Sequence, residues 1–264
     1  MNIIKLILLF ILICSPSFAD VSQDGVDDYI QVTVSSVASL RPSPDMTACI
    51  WSKRNGASES FGRIISVAYD DADSGPFSAW AVNTDNTSDT NFLGYYAGQP
   101  GLTQNATSPT YNAFPNTTDW HYICMRTTIG TFVTGELLVD GVVRSSITTI
   151  GALALAYDTR AGFGELYIGC DADDTDNCTN HTNADFTYWN SSVPTSFLLS
   201  VYLAGKGRFT LQLSSPNIIL NLPLSDCADG RSVNGWTFRD NANANNGTSS
   251  GGTCVASTKL TYPE

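Results

Sequence analysis

The sequence has little histidine, glutamate and positive charge. Among 264 residues there are 2 His, 4 Glu and 13 Lys or Arg, against 21 Asp, and the formal net charge is −12. A surface this acidic repels phosphate backbones, which argues against nucleic-acid binding. Two histidines cannot form a three-histidine zinc site. Few strong helix formers are present, and the many Thr, Ser, Asn, Gly and aromatic residues are typical of an exported β-protein.

The chain has one long apolar run, and it lies at the start. Residues 1–19 combine a short basic start, the apolar run 6–14 and a small-x-small ending before Asp20, which is the pattern of a cleaved signal peptide. A spanning helix needs about 20 apolar residues, so an uncleaved anchor is the weaker alternative. We expect a secreted, extracellular or cell-surface protein, with the periplasm as another destination, that has no membrane span after cleavage.

Alternation of apolar and polar residues predicts β-strands along most of the chain. One short helix is predicted at 194–203, with Pro194 in its first turn, and Asp140-Gly141 predicts a two-residue hairpin turn. A single domain over 20–264 suits an all-β sandwich of this length. The predicted strands are 29–34, 46–52, 63–68, 77–82, 121–126, 136–139, 142–144, 166–169, 185–189 and 217–222.

The role expected of the cysteines depends on whether the chain is exported. Removal of 1–19 leaves six cysteines, and an even number in an exported chain favours disulfides over metal thiolates. Several connectivities are possible. Local spacing favours Cys170–Cys178, which would close a small acidic loop, and Cys227–Cys254, which would tether the C-terminal region.

Seven short segments follow one another in a recognisable order. They are Asp24–Ile30, Thr47–Trp51, Arg63–Ser66, Trp120–Cys124, Leu138–Gly141, Leu166–Gly169, and Asp185–Asn190 followed by 197–202. In this order they resemble the laminin G-like and pentraxin-like branch of the concanavalin A-like superfamily. The resemblance implies a jelly-roll sandwich of two antiparallel sheets that binds glycans or other extracellular ligands. It also implies a disulfide between Cys49 and Cys124.

The C-terminal part, 205–264, has an unusual place in that order. Its segments 217–226, 239–240 and 245–248 resemble the opening segment of many laminin G-like domains, yet here they come last. We interpret this as a circular permutation in which 205–264 complete the sandwich, because the termini of such domains lie close together. A truncated second repeat is the alternative.

Two aspartate-rich loops form the candidate metal site. The resemblance implies calcium between a loop before a Trp-containing strand, here 70–75, and a loop after an Ile-Gly strand end, here 170–176. The acidic second loop also suits calcium on chemical grounds, since calcium takes six to eight oxygens and neutralises repelling carboxylates. A solvated acidic loop is the alternative. The candidate ligands are Asp73, Ser74, Asp171, Ala172 through its carbonyl, Asp173, Asp174 and Asp176.

Aromatic residues supply the candidate glycan contacts. Exposed rings stack on apolar faces of ligands, and Tyr95, Tyr96 and Tyr157 lie in loop-like surroundings. Trp236 is either a ligand platform or a cover of the core. His181, close to the acidic loop, is either a ligand contact or an ordinary surface residue.

The sequence does not indicate catalysis. Glucanases of the superfamily that this chain resembles use Glu-x-Asp-x-x-Glu, and no two of the four Glu lie close enough to form that pattern. We also expect no Gly-x-Ser-x-Gly elbow. The sequence therefore predicts a secreted, non-catalytic binding module with lectin-like glycan recognition that calcium supports. A structural or adhesive surface component that makes protein contacts is the alternative, followed by a glycan-active enzyme with an unrecognised site.

Overall fold

The structure is a computed structural model of the chain. It describes residues 19–33, 45–56, 62–71, 75–85, 92–97, 119–129, 133–149, 165–170, 178–206, 217–224, 232, 237–242 and 247–256. Within these ranges the secondary structure consists of β1 Ala19–Ser22, β2 Tyr29–Thr33, β3 Met46–Arg54, β4 Arg63–Asp71, β5 Gly75–Asp85, β6 Phe92–Ala97, β7 His121–Ile129, β8 Val133–Val139, β9 Val142–Thr149, β10 Glu165–Ile168, β11 His181–Trp189, α1 Thr195–Ala204, β12 Ile218–Leu222, β13 Thr237–Phe238, β14 Gly247–Ser250 and β15 Thr253–Ala256.

The strands form two antiparallel sheets. The eight-stranded sheet has the order β15-β1-β11-β3-β7-β8-β9, and β12 also pairs with β11. The seven-stranded sheet has the order β13-β14-β2-β10-β4-β5-β6. The predicted all-β sandwich is therefore confirmed, and the part of the chain that the structure describes contains one short helix, as predicted. Among the described residues, we find no helix that is long and apolar enough to cross a membrane.

Strands from both ends of the described chain meet in the same sheets. One side of β11 pairs with β3, and the other side pairs with β1 near the start of β11 and with β12 near its end. Likewise, β15 pairs with β1 and β14 pairs with β2. The strands after residue 205 thus lie beside strands from the start of the chain. The single-domain boundaries and the circular permutation stay predictions.

Alternate side chains of both sheets form the core between them. On β2 and β10 the residues Ile30, Val32, Leu166 and Ile168 are fully buried, and Phe186 of β11 belongs to the same cluster. Burial of one such side chain stabilises the fold by about 1.5–3 kcal/mol. The period of two in the sequence therefore marks the sheet face that meets the core.

A second cluster covers the outer face of the eight-stranded sheet. Trp51 and Trp189 are fully buried there, beneath Leu198 and Val201 of α1. The Cys49–Cys124 disulfide joins neighbouring strands β3 and β7 within this cluster, which confirms the pairing that the family resemblance implies. The β3 strand is therefore buried on both of its faces, which explains its run of buried residues.

Polar contacts fasten α1 to this face. The Arg126 guanidinium on β7 donates to the carbonyl of Val193 at 2.7 Å and to the hydroxyl of Thr195 at 3.0 Å. It also pairs with Glu136 on β8. One side chain thus satisfies groups at the entry of the helix and holds two strands together.

An ion pair between Lys206 and Asp20 holds the C-terminal end of α1 against β1. Lys206 Nζ lies 2.6 Å from the Asp20 carboxylate and 3.5 Å from the centre of the Trp120 ring. Burial lowers the pKa of Lys206, and the Asp20 charge partly opposes that effect. A cation between a carboxylate and an aromatic face is favourable even where water is excluded.

Several predicted local features are confirmed, and several strands were missed. Asp140 and Gly141 have φ of 58° and 73°, as a tight hairpin turn between β8 and β9 requires. The helix begins one residue after Pro194, close to the prediction. The strands β1, β6, β13, β14 and β15 were not predicted from the sequence. Four of these five have four residues or fewer, so their alternation is too short to separate them from loops.

Candidate ligand-binding face

The outer face of the seven-stranded sheet carries a polar aromatic patch. Ile30 points into the core, so its neighbours Tyr29 and Gln31 lie on the opposite face of β2. Tyr167 on β10 and Thr248 on β14 are the register partners of Gln31. The Gln31 amide donates to Tyr167 Oη at 3.0 Å, and the Tyr29 and Tyr167 ring centroids are 5.1 Å apart. We name these four residues on the outer face the tyrosine patch.

The tyrosine patch combines a buried base with an open rim. Tyr167 is 7% exposed, Tyr29 and Gln31 are partly exposed, and Thr248 is exposed. The rings offer apolar area, and the amide and hydroxyl groups offer hydrogen bonds of both kinds. Ligand sites typically join apolar surface with a few placed polar groups. The patch therefore suits a ligand whose apolar faces are edged with hydroxyl groups.

A row of register partners crosses all seven strands and passes through the tyrosine patch, although Ser66 in the middle of the row is fully buried. The row consists of Thr237, Thr248, Gln31, Tyr167, Ser66, Ala81 and Tyr96. Six steps between neighbouring strands give it a length of about 29 Å. Tyr95 and Tyr96 lie within β6, so the prediction that they lie in loop-like surroundings is wrong. Their side chains lie outside the described residues.

The connection from β1 to β2, residues 23–28, forms an acidic corner next to the tyrosine patch. The carboxylate oxygens of Asp24, Asp27 and Asp28 lie within 4.8 Å of one another. Asp24 and Asp27 are exposed, whereas Asp28 is largely buried. Burial raises the pKa of Asp28, the backbone N–H groups of Asp24 and Gly252 lower it, and the charges of Asp24 and Asp27 raise it.

Asp28 has a structural role in this corner. One carboxylate oxygen accepts from the backbone N–H of Gly252 at 2.7 Å, and the other accepts from that of Asp24 at 3.0 Å. Gly251 has φ of +71°, and a Cβ there would clash with the Asp28 carboxylate. Asp28 therefore ties the turn between β14 and β15 to the start of β2.

The Cys170–Cys178 disulfide lies beside the acidic corner and confirms the pairing that local spacing favours. Gln23 links the two, because its amide donates to the Ile168 carbonyl at 2.8 Å and accepts from Asn183 at 2.6 Å. A Cβ on Gly169 would clash with Gln23. The acidic loop 171–177 therefore begins and ends next to the corner.

The predicted calcium ligands lie outside the described residues: Asp73, Ser74, Asp171, Ala172, Asp173, Asp174 and Asp176. The strands that lead to the two loops are described. Ile65, near the start of β4, is the register partner of Ile168, and the 171–177 loop follows shortly after Ile168. The other loop follows Asp71, at the opposite end of β4. Six residues of strand separate these levels by about 20 Å. The register therefore gives no support to joint coordination by the two loops, and calcium binding stays a prediction.

The remaining predicted site residues have separate outcomes. His181 is fully buried on β11, so the alternative of an ordinary surface residue is wrong, and the ligand-contact alternative gains no support. Its predicted exposure failed because β11 begins at His181 and is buried along its whole length. Tyr157, Trp236 and Cys227 lie outside the described residues, and the Cys227–Cys254 disulfide stays a prediction.

Two histidine pairs resemble parts of a catalytic triad, and both have structural roles. The Ser52 hydroxyl lies 2.9 Å from His181 Nδ1, and both residues are fully buried. His121 Nδ1 lies 2.9 Å from the Asp140 carboxylate, which also accepts from the backbone N–H of Tyr122 at 2.9 Å. A nucleophilic serine must reach its substrate. The burial of Ser52 prevents this.

The expectation that the chain has no Gly-x-Ser-x-Gly pattern is wrong. Gly247-Thr248-Ser249-Ser250-Gly251 has this spacing. A nucleophile elbow lies on a sharp turn between a strand and a helix, whereas Ser249 lies within β14, is 4% exposed and pairs with Ile30 of β2. The pattern therefore occurs here without the geometry that gives it a chemical role.

By fold, the chain is similar to several solved structures. One is a protein from Bacteroides ovatus described as a candidate carbohydrate-binding protein, with 14% identity and a TM-score of 0.60. That similarity covers 91% of this chain and 61% of the other, so this chain spans about three fifths of that protein's length.

Two smaller proteins share the fold over less of this chain. The native heptameric SAP-like pentraxin from Limulus polyphemus has 14% identity and a TM-score of 0.52, over 73% of this chain and 85% of the pentraxin. The CBM40 of the Ruminococcus gnavus IT-sialidase has 9% identity and a TM-score of 0.54, over 69% of this chain and 96% of the CBM40. No family model matches the chain, and no curated protein matches its sequence. Identities this low show a shared fold.

Sequence reasoning missed Tyr29 and Tyr167 as candidate ligand contacts. Both stand in strands that were predicted, at positions flanked by the core residues Ile30, Leu166 and Ile168. The alternation already assigned each tyrosine to the face opposite the core. The missing information was that β2 and β10 are neighbours, which only the sheet order supplies.

Proposed function

We propose that this protein is a secreted, non-catalytic module that binds glycans, and that the tyrosine patch is the surface that contacts them. The observation that carries the proposal is the Tyr29–Tyr167 ring pair, joined to the Gln31 amide on a partly open sheet face. Sugars present C–H faces bordered by hydroxyl groups. A tilted tyrosine pair beside an amide and a threonine hydroxyl can contact both kinds of surface.

The fold and the cysteines support this proposal. The proteins that share the sandwich include one described as a candidate carbohydrate-binding protein and the CBM40 of a sialidase. The Cys49–Cys124 and Cys170–Cys178 disulfides are of the kind that persists in oxidising compartments. This agrees with the export signal that residues 1–19 predict.

Calcium is a separate part of the proposal. The loop 171–177 contains four carboxylates, and the Cys170–Cys178 disulfide closes it beside the acidic corner. Carboxylate oxygens in a constrained loop are the donors that calcium prefers. We propose one calcium ion held by this loop, where it would neutralise the carboxylates and order the chain next to Gln23.

The experiment is a glycan array probed with the labelled exported protein, with a matched pair of tyrosine variants. Tyr29→Ala removes a partly exposed ring from the tyrosine patch. Tyr202→Ala removes a partly buried ring from the covered face, where Tyr202 stacks on Trp51 at 5.7 Å. We expect Tyr29→Ala to weaken binding about five- to thirtyfold, since loss of one stacked aromatic residue costs on the order of 1–2 kcal/mol. Tyr202→Ala should bind like the parent protein.

Each outcome has one meaning. A parent protein that binds no glycan contradicts the proposed function and favours a structural or adhesive role. Glycan binding that survives Tyr29→Ala contradicts the proposed surface. Repetition with a chelator tests the calcium part alone, because binding that the chelator leaves unchanged contradicts a calcium requirement.

A further inference from the structure

We infer that the ligand of the tyrosine patch is an uncharged glycan, and that the acidic corner discriminates against glycans that carry carboxylate or sulfate groups. This inference rests on the proposed glycan-binding function and names the ligand class for the same surface. It follows from how charge is distributed over the two sheets.

The acidic corner adjoins the tyrosine patch directly. Asp28 immediately precedes Tyr29, and exposed Asp24 and Asp27 have carboxylate oxygens within 4.8 Å of it and of each other. An anionic ligand on the tyrosine patch would therefore lie next to these negative groups.

The basic residues of the described chain lie mostly on the other sheet. Lys53, Arg54, Arg126 and Arg144 belong to β3, β7 and β9, and Lys206 follows α1 on the outer side of that sheet. In the described part of the seven-stranded sheet, the basic residues are Arg63 and Arg239, which lie at strand ends. Among the described residues, the tyrosine patch itself contains no Arg or Lys, the residues that normally bind carboxylate and sulfate groups.

The polar groups that the tyrosine patch does offer are neutral. They are the Gln31 amide and the hydroxyls of Tyr29, Tyr167 and Thr248. Neutral donors and acceptors match sugar hydroxyls, whereas desolvation of an anion needs charged or multiple donors. Thr248, Gln31 and Tyr167 lie on three neighbouring strands, so the described patch extends about 10 Å across the strands. This width suits a short oligosaccharide.

The test compares an uncharged hexose oligomer with the uronic-acid oligomer of the same length, by calorimetry at low and high salt. Like charges on neighbouring groups repel even in water, so we expect the uronic-acid oligomer to bind roughly fivefold more weakly at low salt. The difference should shrink in 1 M salt, where the screening length falls to about 3 Å.

Charge-removing variants assign the discrimination to the acidic corner. Asp24→Asn and Asp27→Asn together remove two exposed charges, and Asn at position 24 keeps an acceptor for the backbone N–H of Val26, now 2.8 Å from Asp24. Asp119→Asn removes one exposed charge beside β7 on the other sheet. We expect the double variant to reduce the difference in affinity between the two oligomers. Asp119→Asn should leave this difference unchanged.

The failure of this inference is distinct from that of the proposed function. Equal or tighter binding of the uronic-acid oligomer, weakened by Tyr29→Ala, overturns the charge selectivity and leaves glycan binding standing. The inference is also overturned if the difference in affinity between the two oligomers is the same in the double variant and in the parent protein. If neither these oligomers nor any glycan on the array binds, the proposed function fails and this inference fails with it.

Discussion

The outer face of the eight-stranded sheet is covered, whereas the outer face of the seven-stranded sheet is partly open. Trp51 and Trp189 are fully buried beneath α1 on the first face, while Tyr29 and Gln31 are partly exposed on the second. Aromatic residues occur on both faces. Their surroundings decide whether they stabilise the fold or remain available to a ligand.

The two outer faces also differ in the covalent and polar contacts that stabilise them. The covered face has the Cys49–Cys124 disulfide, the Arg126 contacts to the start of α1 and the Lys206–Asp20 ion pair at its end. The contacts described on the open face include the hydrogen bond between the uncharged side chains of Gln31 and Tyr167. Substitutions on the covered face should therefore change stability more than substitutions on the open face.

The largest expected effect comes from the covered face. Trp51→Ala should lower the free energy of unfolding by about 3–5 kcal/mol, because it leaves a large cavity beside Tyr122 and Tyr202. Urea unfolding followed by circular dichroism measures this. A loss below about 1 kcal/mol would show that the cluster beneath α1 contributes little to stability.

The contacts of Arg126 should have the next largest effect. Arg126→Met keeps much of the apolar stem but removes the charged bonds to Val193, Thr195 and Glu136. We expect a loss of about 1.5–3 kcal/mol, as for hydrogen bonds that involve a charged group. The same unfolding experiment on Arg144→Met, an exposed residue on the edge strand β9, provides the control and should change stability by less than about 0.5 kcal/mol.

His181 should make the covered sheet sensitive to acid. Burial lowers the pKa of His181 from 6.5 to about 3, and the positive charge of Arg54 lowers it too. As pH falls below 6.5, the unfolded chain takes up the proton before the folded chain does. The free energy of unfolding should therefore fall by up to about 1.4 kcal/mol per pH unit, until pH reaches the folded value.

The test of this pH dependence uses both histidines. His181→Gln should remove the contribution of His181 to the pH dependence of the free energy of unfolding between pH 6 and 4. The matched variant His121→Gln should retain that contribution. Unfolding midpoints in urea across this range provide the measurement. An unchanged slope in His181→Gln would assign the acid sensitivity to other groups.

The smallest effect on stability should come from the open face. Tyr167→Phe removes the hydroxyl that accepts from Gln31 and should cost no more than about 1 kcal/mol. Thr248→Ala, at an exposed position, should stay within about 0.5 kcal/mol. Thermal unfolding measures both variants. A loss as large as that of Trp51→Ala would abolish the distinction between the two faces.

Much of the fold follows from local sequence, whereas much of the candidate site does not. Strands such as β3 and β7 have clear alternation, and the turn at Asp140-Gly141 has residues that tolerate positive φ. By contrast, Tyr95 and Tyr96 look like loop residues, and their pairing with Val82 and Ala81 comes from tertiary contacts. A strand that owes its existence to a neighbour leaves only a weak signal in its own residues.

Local sequence was enough to predict the β-class, the helix after Pro194 and the Cys170–Cys178 pairing, all of which the described residues confirm. These depend on side-chain period, composition and short separations along the chain. Tertiary structure alone decided that Tyr29 lies beside Tyr167, because strands far apart in sequence become neighbours only in the sheet order. It also decided that His181 is buried, because β11 lies between β3 on one side and β1 and β12 on the other. Alternation assigns a residue to a face, whereas the order of the strands and the helix that covers them decide which face remains open.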